Sequence, residues 1–463
     1  MGASRLNAGA VAAAVLALAA CAPATKPGSI KINANPFPST YARYPGAVTL
    51  IRGATVYDGD GGRIEQGVVL LRDGVIAAVG ASNAVAVPAD AVVIDGSGKY
   101  ITPGIIDVHS HLGNYPSPGV QAHSDGNEAT DPVRADVWAE HSVWPQDPGF
   151  SRALANGGIT TLQILPGSAN LFGGRSVVLK NVYARTVQGM KFPGAPYGLK
   201  MACGENPKRV YGGKSGPSTR MGNIATTRAT WLKALDYKRK WDGYEKEGGE
   251  VPDRDLTMDT LRGVLAGQIL IHNHCYRADE MAQMIDVAKE MGYKIASFQH
   301  AVESYKIADL LRENGICSAM WADWYGFKME SFDGIQENIA FVERAGACAI
   351  VHSDDENGIQ RLNQEAAKAL AHGRRAGLQM TDAQAWKWLS ANPARSLGIY
   401  DRTGSLAPGK MADVVLWNGD PFSVYSRPEK VWIDGAMMYD SNDPRRRPVS
   451  DFELGQPGDG DVK

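Results

Sequence analysis

Between residues 100 and 400, short apolar or β-branched runs alternate with helical stretches, and several of the runs end in histidine or aspartate. This alternation is the strongest constraint on the fold, because strand–helix repeats build parallel sheets covered by helices. The expected strands are 105–109, 160–165, 199–203, 269–273, 295–299, 316–319 and 349–352. The expected helices lie at 151–157, 278–291, 304–313, 334–345, 360–376 and 382–390. A doubly wound sheet would show the same alternation. The polar residues, however, fall at the ends of several different strands, which is where barrel enzymes assemble their sites. The expectation is therefore an α/β chain built on a (β/α)8 TIM-type barrel over 101–400.

The first of these runs leads through the turn Thr102-Pro103-Gly104 to His109-Ser110-His111. Residues two apart on a strand share a face. Both imidazoles then converge on one point, an arrangement suited to a divalent metal such as zinc. The runs ending in His272-Asn273-His274, in His300 and in His352-Ser353-Asp354 supply further donors. A lone histidine at a strand end is usually structural; four such ends in one barrel point to a metal site. The run 198–206 adds two more candidates. Lys200 lies inside an apolar stretch, where burial lowers an ammonium pKa and makes the amine nucleophilic toward carbon dioxide. Glu205, at the end of the same run, is the rival bridge between two metals.

The flanks read differently. Residues 47–100 are short strands broken by Asp-Gly turns, and 401–440 return to strands, so the two segments are expected to form one small β-sandwich domain. Residues 214–256 look like an insertion, with a helix near Trp231–Lys246 placed as an amphipathic cover over the barrel mouth. The N-terminus reads as a targeting segment: Arg5, then an apolar stretch of about a dozen residues, too short to span a membrane, ending Leu18-Ala19-Ala20-Cys21. It resembles a lipoprotein signal over 1–21 with Cys21 as the lipidated residue, an ordinary secretory signal being the alternative. That pattern places the protein in a bacterial periplasm, anchored to the outer membrane. Residues 22–46 read as a linker and 441–463 as a solvated tail. The remaining cysteines, Cys203, Cys275, Cys317 and Cys348, show neither a Cys-x-x-Cys pair nor a small disulfide framework, and read as buried thiols. A net charge of −2 gives no sign of nucleic-acid binding.

The segments Thr102–His111, Gly204-Glu205-Asn206-Pro207-Lys208-Arg209, Ser353-Asp354, Asn392-Pro393-Ala394 and Gly404–Val415 carry a resemblance. Over roughly residues 47–440 the chain is similar to the amidohydrolase superfamily, in the branch related to imidazolonepropionase and metal-dependent dipeptidases. The resemblance implies a barrel with a β-sandwich made from both chain ends and a centre of two zinc ions. His109 and His111 would hold the more buried ion, carboxylated Lys200 or Glu205 would bridge, and His274 and His300 would hold the second. Asp354 would contact the first ion and move protons, with His300 also at the catalytic centre. Where relatives have His-x-His-Arg-Ala-Asp, this chain has His274-Cys275-Tyr276-Arg277-Ala278-Asp279; Tyr276 and Arg277 are the substrate-binding candidates. His272 and His352 would support the ligands, and Lys208, Arg209 and Arg220 could favour a substrate carboxylate.

The implied activity is hydrolysis of C–N bonds in small amides such as dipeptides or N-acyl amino acids. Cyclic-amide hydrolysis and mononuclear deamination are the alternatives on the same fold, and a non-catalytic binding protein is a more remote one.

Overall fold

The computed structural model describes residues 30–214 and 216–446. The segment expected to be a signal, with Cys21, and the end of the tail lie outside the described residues.

Five strands precede the barrel: β1 (Thr49–Tyr57), β2 (Arg63–Arg72), β3 (Val75–Ala81), β4 (Val92–Asp95) and β5 (Tyr100–Pro103). Eight form the barrel wall: β6 (Ile105–Ser110), β7 (Ile159–Ile164), β8 (Phe172–Lys180), β9 (Tyr197–Ala202), β10 (Ile269–Cys275), β11 (Ile295–His300), β12 (Cys317–Met320) and β13 (Cys348–Val351). Three follow it: β14 (Val414–Trp417), β15 (Pro428–Ile433) and β16 (Ala436–Asp440). The two ends of the chain do meet. They share one sheet in the order β16-β15-β14-β5-β1-β2-β3, with β4 also paired to β1. The junction is β5, antiparallel to β14 and parallel to β1. Gly104 then turns the chain from this sheet into the barrel; a Cβ there would meet the Thr160 hydroxyl at 2.1 Å, so the Pro-Gly turn has no room for a side chain.

The barrel strands run in sequence order from β6 to β13, each parallel to its neighbours except β8. β8 corrects the all-parallel expectation and was absent from the expected strands. The link from β7 is a few residues long, whereas a parallel crossover needs a dozen or more, so the chain folds straight back. First and last strands are tied by side-chain and backbone bonds: Ser353 Oγ donates to the Asp107 carboxylate, and the Asp354 amide donates to the His109 carbonyl at 2.9 Å. Burial pushes the Asp107 carboxyl up to about 7, against the bonds from Ser353 that lower it.

Three expectations need correction. All four cysteines among the described residues are paired. Cys203–Cys275 joins the C-terminal ends of β9 and β10, and Cys317–Cys348 joins the first residues of β12 and β13. Separations of 72 and 31 residues carry no local motif, and only strand adjacency brings the partners together. The linker, where described, is docked: Arg175 donates to the Ala34 carbonyl, Lys191 to the Phe37 carbonyl, and Phe37 packs edge-on against Trp138. The insertion helix spans Arg220–Glu247 and lies along the barrel's flank. Trp231 stacks on Tyr293 at 4.3 Å and Tyr237 donates to Asp259, so only the first turn, with Arg220 and Asn223, reaches toward the mouth. Among the described residues no helix is long and apolar enough to cross a membrane.

Candidate metal centre

The C-terminal ends of the barrel strands bring the predicted donors together. His109, at the end of β6, is fully buried, and its Nδ1 faces Gln299 Oε1 at 3.0 Å. Gln299 Nε2 donates to Ser297 Oγ, which fixes its amide so that the oxygen receives the His109 Nδ1–H. His111 Nδ1 faces the Leu165 carbonyl at 2.8 Å, an acceptor only. With the Nδ1 of each ring turned to an acceptor, Nε2 is the atom both rings present to the same place, and both Nε2 atoms lie 3.2 Å from Asp354 Oδ1.

His300 closes β11, with Nδ1 3.9 Å from Asp354 Oδ2. His352 follows β13, its ring 5.2 Å from that of His109 and 5.0 Å from that of His300. His274 is the penultimate residue of β10, its ring 4.6 Å from His300. His300 and Asp354 have φ of 70° and 62°, a left-handed conformation that non-glycine residues adopt only when the surroundings hold them there. Among the described residues two groups have ligand atoms close enough to hold an ion, His109–His111–Asp354 and His109–His300–His352, and the predicted ligand His274 belongs to neither. His352 enters the second as a potential ligand beyond the supporting role expected of it. His272 Nδ1 faces Ser297 Oγ at 2.8 Å, as a supporting residue would.

These residues fit a divalent cation. His300 Nδ1, His274 Nδ1 and both ring nitrogens of His352 are buried without a hydrogen-bond partner among the described residues. A buried polar atom left unpaired is costly, and a metal would satisfy these nitrogens. Burial, with a further contribution from Lys200, lowers His109 to about 4, and burial holds His274, His300 and His352 well below the usual histidine range. At neutral pH the rings are thus in the uncharged form that binds metal. For Asp354, burial acts to raise the pKa but the imidazoles of His300 and His109 outweigh it, and the carboxylate stays ionised.

The two bridge candidates separate in space. Lys200 is fully buried on β9, its Nζ 3.4 Å from His109 Nε2 and 3.0 Å from the Pro166 carbonyl. Burial lowers its pKa to about 8. Glu205 opens the helix Glu205–Tyr211, and its carboxylate faces Lys328 at 3.6 Å. Tyr276 stacks on His300 at 5.3 Å, inside the site. Arg277 does not join it: both of its bonds, at 2.9 Å, go to Asp279. Arg220 is likewise committed, to Glu280 at 3.0 Å and to Glu330. Gln299, Trp321, Lys328 and Glu330 were missed by the sequence reading. The available signal was position: Gln299 precedes a strand-end histidine, and Trp321 follows the last residue of β12.

A model described as the amidohydrolase family matches residues 100–438. Amidohydrolase tasK of Hapsidospora irregularis is 31% identical over 85% of this chain, which spans only 43% of that relative's length. Imidazolonepropionase of Mesorhizobium japonicum is 24% identical, with 79% of this chain and 90% of the relative covered. Among solved structures, an amidohydrolase from Thermotoga maritima is similar with a TM-score of 0.77 at 37% identity, over 85% of this chain and all of that one. An adenosine deaminase from Xanthomonas campestris with bound zinc shares the fold, with a TM-score of 0.52 at 16% identity over 88% of this chain and 96% of that one.

Proposed function

The chain belongs to the amidohydrolase family, and from that premise we propose that it is a metal-dependent hydrolase of C–N bonds in small amides such as dipeptides or N-acyl amino acids. The observation that carries this reading is the Asp354 carboxylate, 3.2 Å from the Nε2 atoms of His109 and His111, with the buried Lys200 Nζ 3.4 Å from the same His109 Nε2.

In this reading His109, His111 and Asp354 hold one ion, and His274 and His300, with His352 beside them, hold a second. Zinc suits this donor set. When bound, the ions supply a water of lowered pKa and a polarised scissile carbonyl. Asp354, ionised and partly open to the mouth, accepts the water proton and returns it to the leaving nitrogen. Gln299 and the Leu165 carbonyl keep His109 and His111 in the required tautomer. The proximity of Lys200 Nζ to His109 favours Lys200 over Glu205 as the bridge. Its neutral amine would attack carbon dioxide, forming an N–C bond, shifting a C–O electron pair onto oxygen and releasing one proton to solvent. The carbamate so formed carries two donor oxygens where the amine had none.

A mononuclear deaminase or a cyclic-amide hydrolase is the second reading. It is favoured by the completeness of the His109–His111–Asp354 group without any bridge, and by the similarity to imidazolonepropionase and to the zinc-bound deaminase. Metal content distinguishes it: one ion per chain supports the deaminase, two support the bridged hydrolase. The direct test of the main reading is hydrolysis of a dipeptide and N-acyl amino acid panel by metal-reconstituted protein. Turnover of several members supports it, and none, with deamination of an aminated heterocycle instead, replaces it.

Export to the periplasm with attachment through lipidated Cys21 is also proposed. It is supported by the signal pattern and by two disulfides, which persist in oxidising compartments.

A further inference from the structure

The chain leaving β13 carries two side chains to the barrel mouth, His352 and Asp354, on either side of Ser353. Ser353 is tied down from several directions. Its hydroxyl donates to the Asp107 carboxylate, its amide donates to the same carboxylate at 3.2 Å, and its carbonyl accepts from Trp321 Nε1 at 3.0 Å. The neighbours of Ser353 are thereby held at two different depths. The Asp354 side chain is 26% exposed and meets His111, which is 16% exposed. His352 is 1% exposed, its ring 5.2 Å from that of His109 and 5.0 Å from that of His300. Trp321 covers this inner pair, 4.4 Å from the His300 ring and 5.1 Å from the His352 ring.

A neutral imidazole carries one donor and one acceptor. Neither nitrogen of His352 has a partner among the described residues, and the His300 Nδ1 has none either. Buried groups of this kind normally find one. What surrounds them is each other: one ring nitrogen from each of His109, His300 and His352 lies within 4.8 Å of the other two. Nitrogens bound tetrahedrally to zinc sit about 3.3 Å apart, so closing on an ion takes side-chain shifts of about 1 Å. All three rings are buried, whereas the other group of ligands, His109–His111–Asp354, opens toward the mouth. His274 stands apart from both groups, with Nε2 turned to Asn206 Nδ2 at 3.5 Å and Asn206 held in turn by Lys328 at 3.3 Å.

We propose that His109, His300 and His352 form an inner metal seat, a second position for one divalent ion deeper in the barrel than the seat made by His109, His111 and Asp354. The two seats exclude each other. His109 Nδ1 is turned to Gln299, so Nε2 alone is left for a metal, and one ring nitrogen serves one ion. The inner seat also takes His300 from the second set of ligands, so an ion there belongs to the chain that carries one ion and is displaced when two are loaded. Three imidazoles without a carboxylate suit zinc, nickel or copper, and cobalt as their spectroscopic stand-in, over magnesium, calcium or manganese. The inference rests on the metal-dependent reading for the outer seat alone, and is independent of which bond the ions help to cut.

The test titrates cobalt(II) alone into the metal-free full chain carrying Asp354→Asn, which breaks the outer seat and leaves the inner one whole. Calorimetry reads the affinity, visible absorption the geometry, and X-ray absorption the number of imidazole ligands. This protein is expected to bind one ion through three imidazoles, and manganese(II) at equal concentration is expected not to displace it. Adding His352→Gln should weaken the ion by at least the roughly 10–100-fold that loss of a ligand's supporting partner costs, and should shift its spectrum. Adding His274→Gln instead should leave both unmoved. No cobalt bound by Asp354→Asn, binding unmoved by His352→Gln, or binding lost with His274→Gln overturns the proposal. Should the His352→Gln protein fail to fold, the imidazole count in Asp354→Asn decides: three supports the inner seat, and two or fewer overturns it. Turnover is not read, so the hydrolase reading can fail while the inner seat stands, and the seat can fail while amides are still cut.

Discussion

Lys200 Nζ lies 3.4 Å from His109 Nε2, with the Pro166 carbonyl as its other close partner, and among the described residues no carboxylate pairs with it directly. A buried lysine without a direct counter-ion is a poor structural element, and its position beside a metal-type histidine gives it a chemical use. Replacing it should therefore change metal stoichiometry before it changes fold. Lys200→Met is expected to bind one ion where the unaltered chain binds two, and Glu205→Gln to keep both. Elemental analysis of dialysed protein checks this, and two ions in Lys200→Met would remove Lys200 from the centre.

The same lysine sets a pH dependence. Its pKa is lowered by burial to about 8, so the ammonium dominates below that value and the neutral, carbon-dioxide-reactive amine above it. Carboxylation of metal-free protein by added bicarbonate should rise as pH increases through about 8 and fall off below it. Mass spectrometry after trapping with metal, or the carbamate signal in ¹³C NMR, reads the yield. A yield independent of pH would contradict the assignment.

Gln299 touches no expected substrate atom, yet it orients His109. Gln299→Leu removes the acceptor for Nδ1–H, and metal affinity should fall by roughly 10–100-fold, the usual cost of losing such a partner. Competition with a chromogenic chelator measures it; unchanged affinity would mean that packing alone holds the ring.

The Cys203–Cys275 bridge joins the ends of the strands that carry Lys200 and His274. Its closed loop of 72 residues predicts a loss of about 4 kcal/mol on the chain-entropy model when both cysteines become serine. Urea unfolding of metal-free Cys203→Ser/Cys275→Ser protein should show a lower midpoint with a similar slope. An unshifted midpoint would show that the pair contributes nothing to stability.

What was legible in the sequence and what was not divides along the range of the interactions. His109 and His111 stand out because alternation on a strand is a two-residue rule, and His274, His300 and Asp354 because each directly ends or follows an apolar run. β8 escapes notice because Gly173-Gly174 and the charged Arg175 and Lys180 interrupt its apolar pattern. Both charges are buried all the same: Lys180 pairs with Asp434 at 2.8 Å and with Asp413 at 3.3 Å, and Arg175 lies 3.9 Å over the Trp138 ring. Their partners lie far along the chain and cannot be read from local spacing. The disulfides are hidden for the same reason. Trp321 and Lys328 fall in a loop, where no periodicity points to a common face, and only the folded chain shows them gathered around His300 and Glu205.

The histidines and Asp354 at the barrel mouth are expected to hold the metal that the hydrolysis of amides requires. This is tested most directly by turnover of a dipeptide and N-acyl amino acid panel by the unaltered chain and by Asp354→Asn, before and after chelation and zinc restoration. The expected result is turnover that chelation abolishes and zinc restores, reduced by about 10²–10⁴-fold in Asp354→Asn. Full turnover in protein shown to be free of metal, or normal turnover in Asp354→Asn, would contradict it.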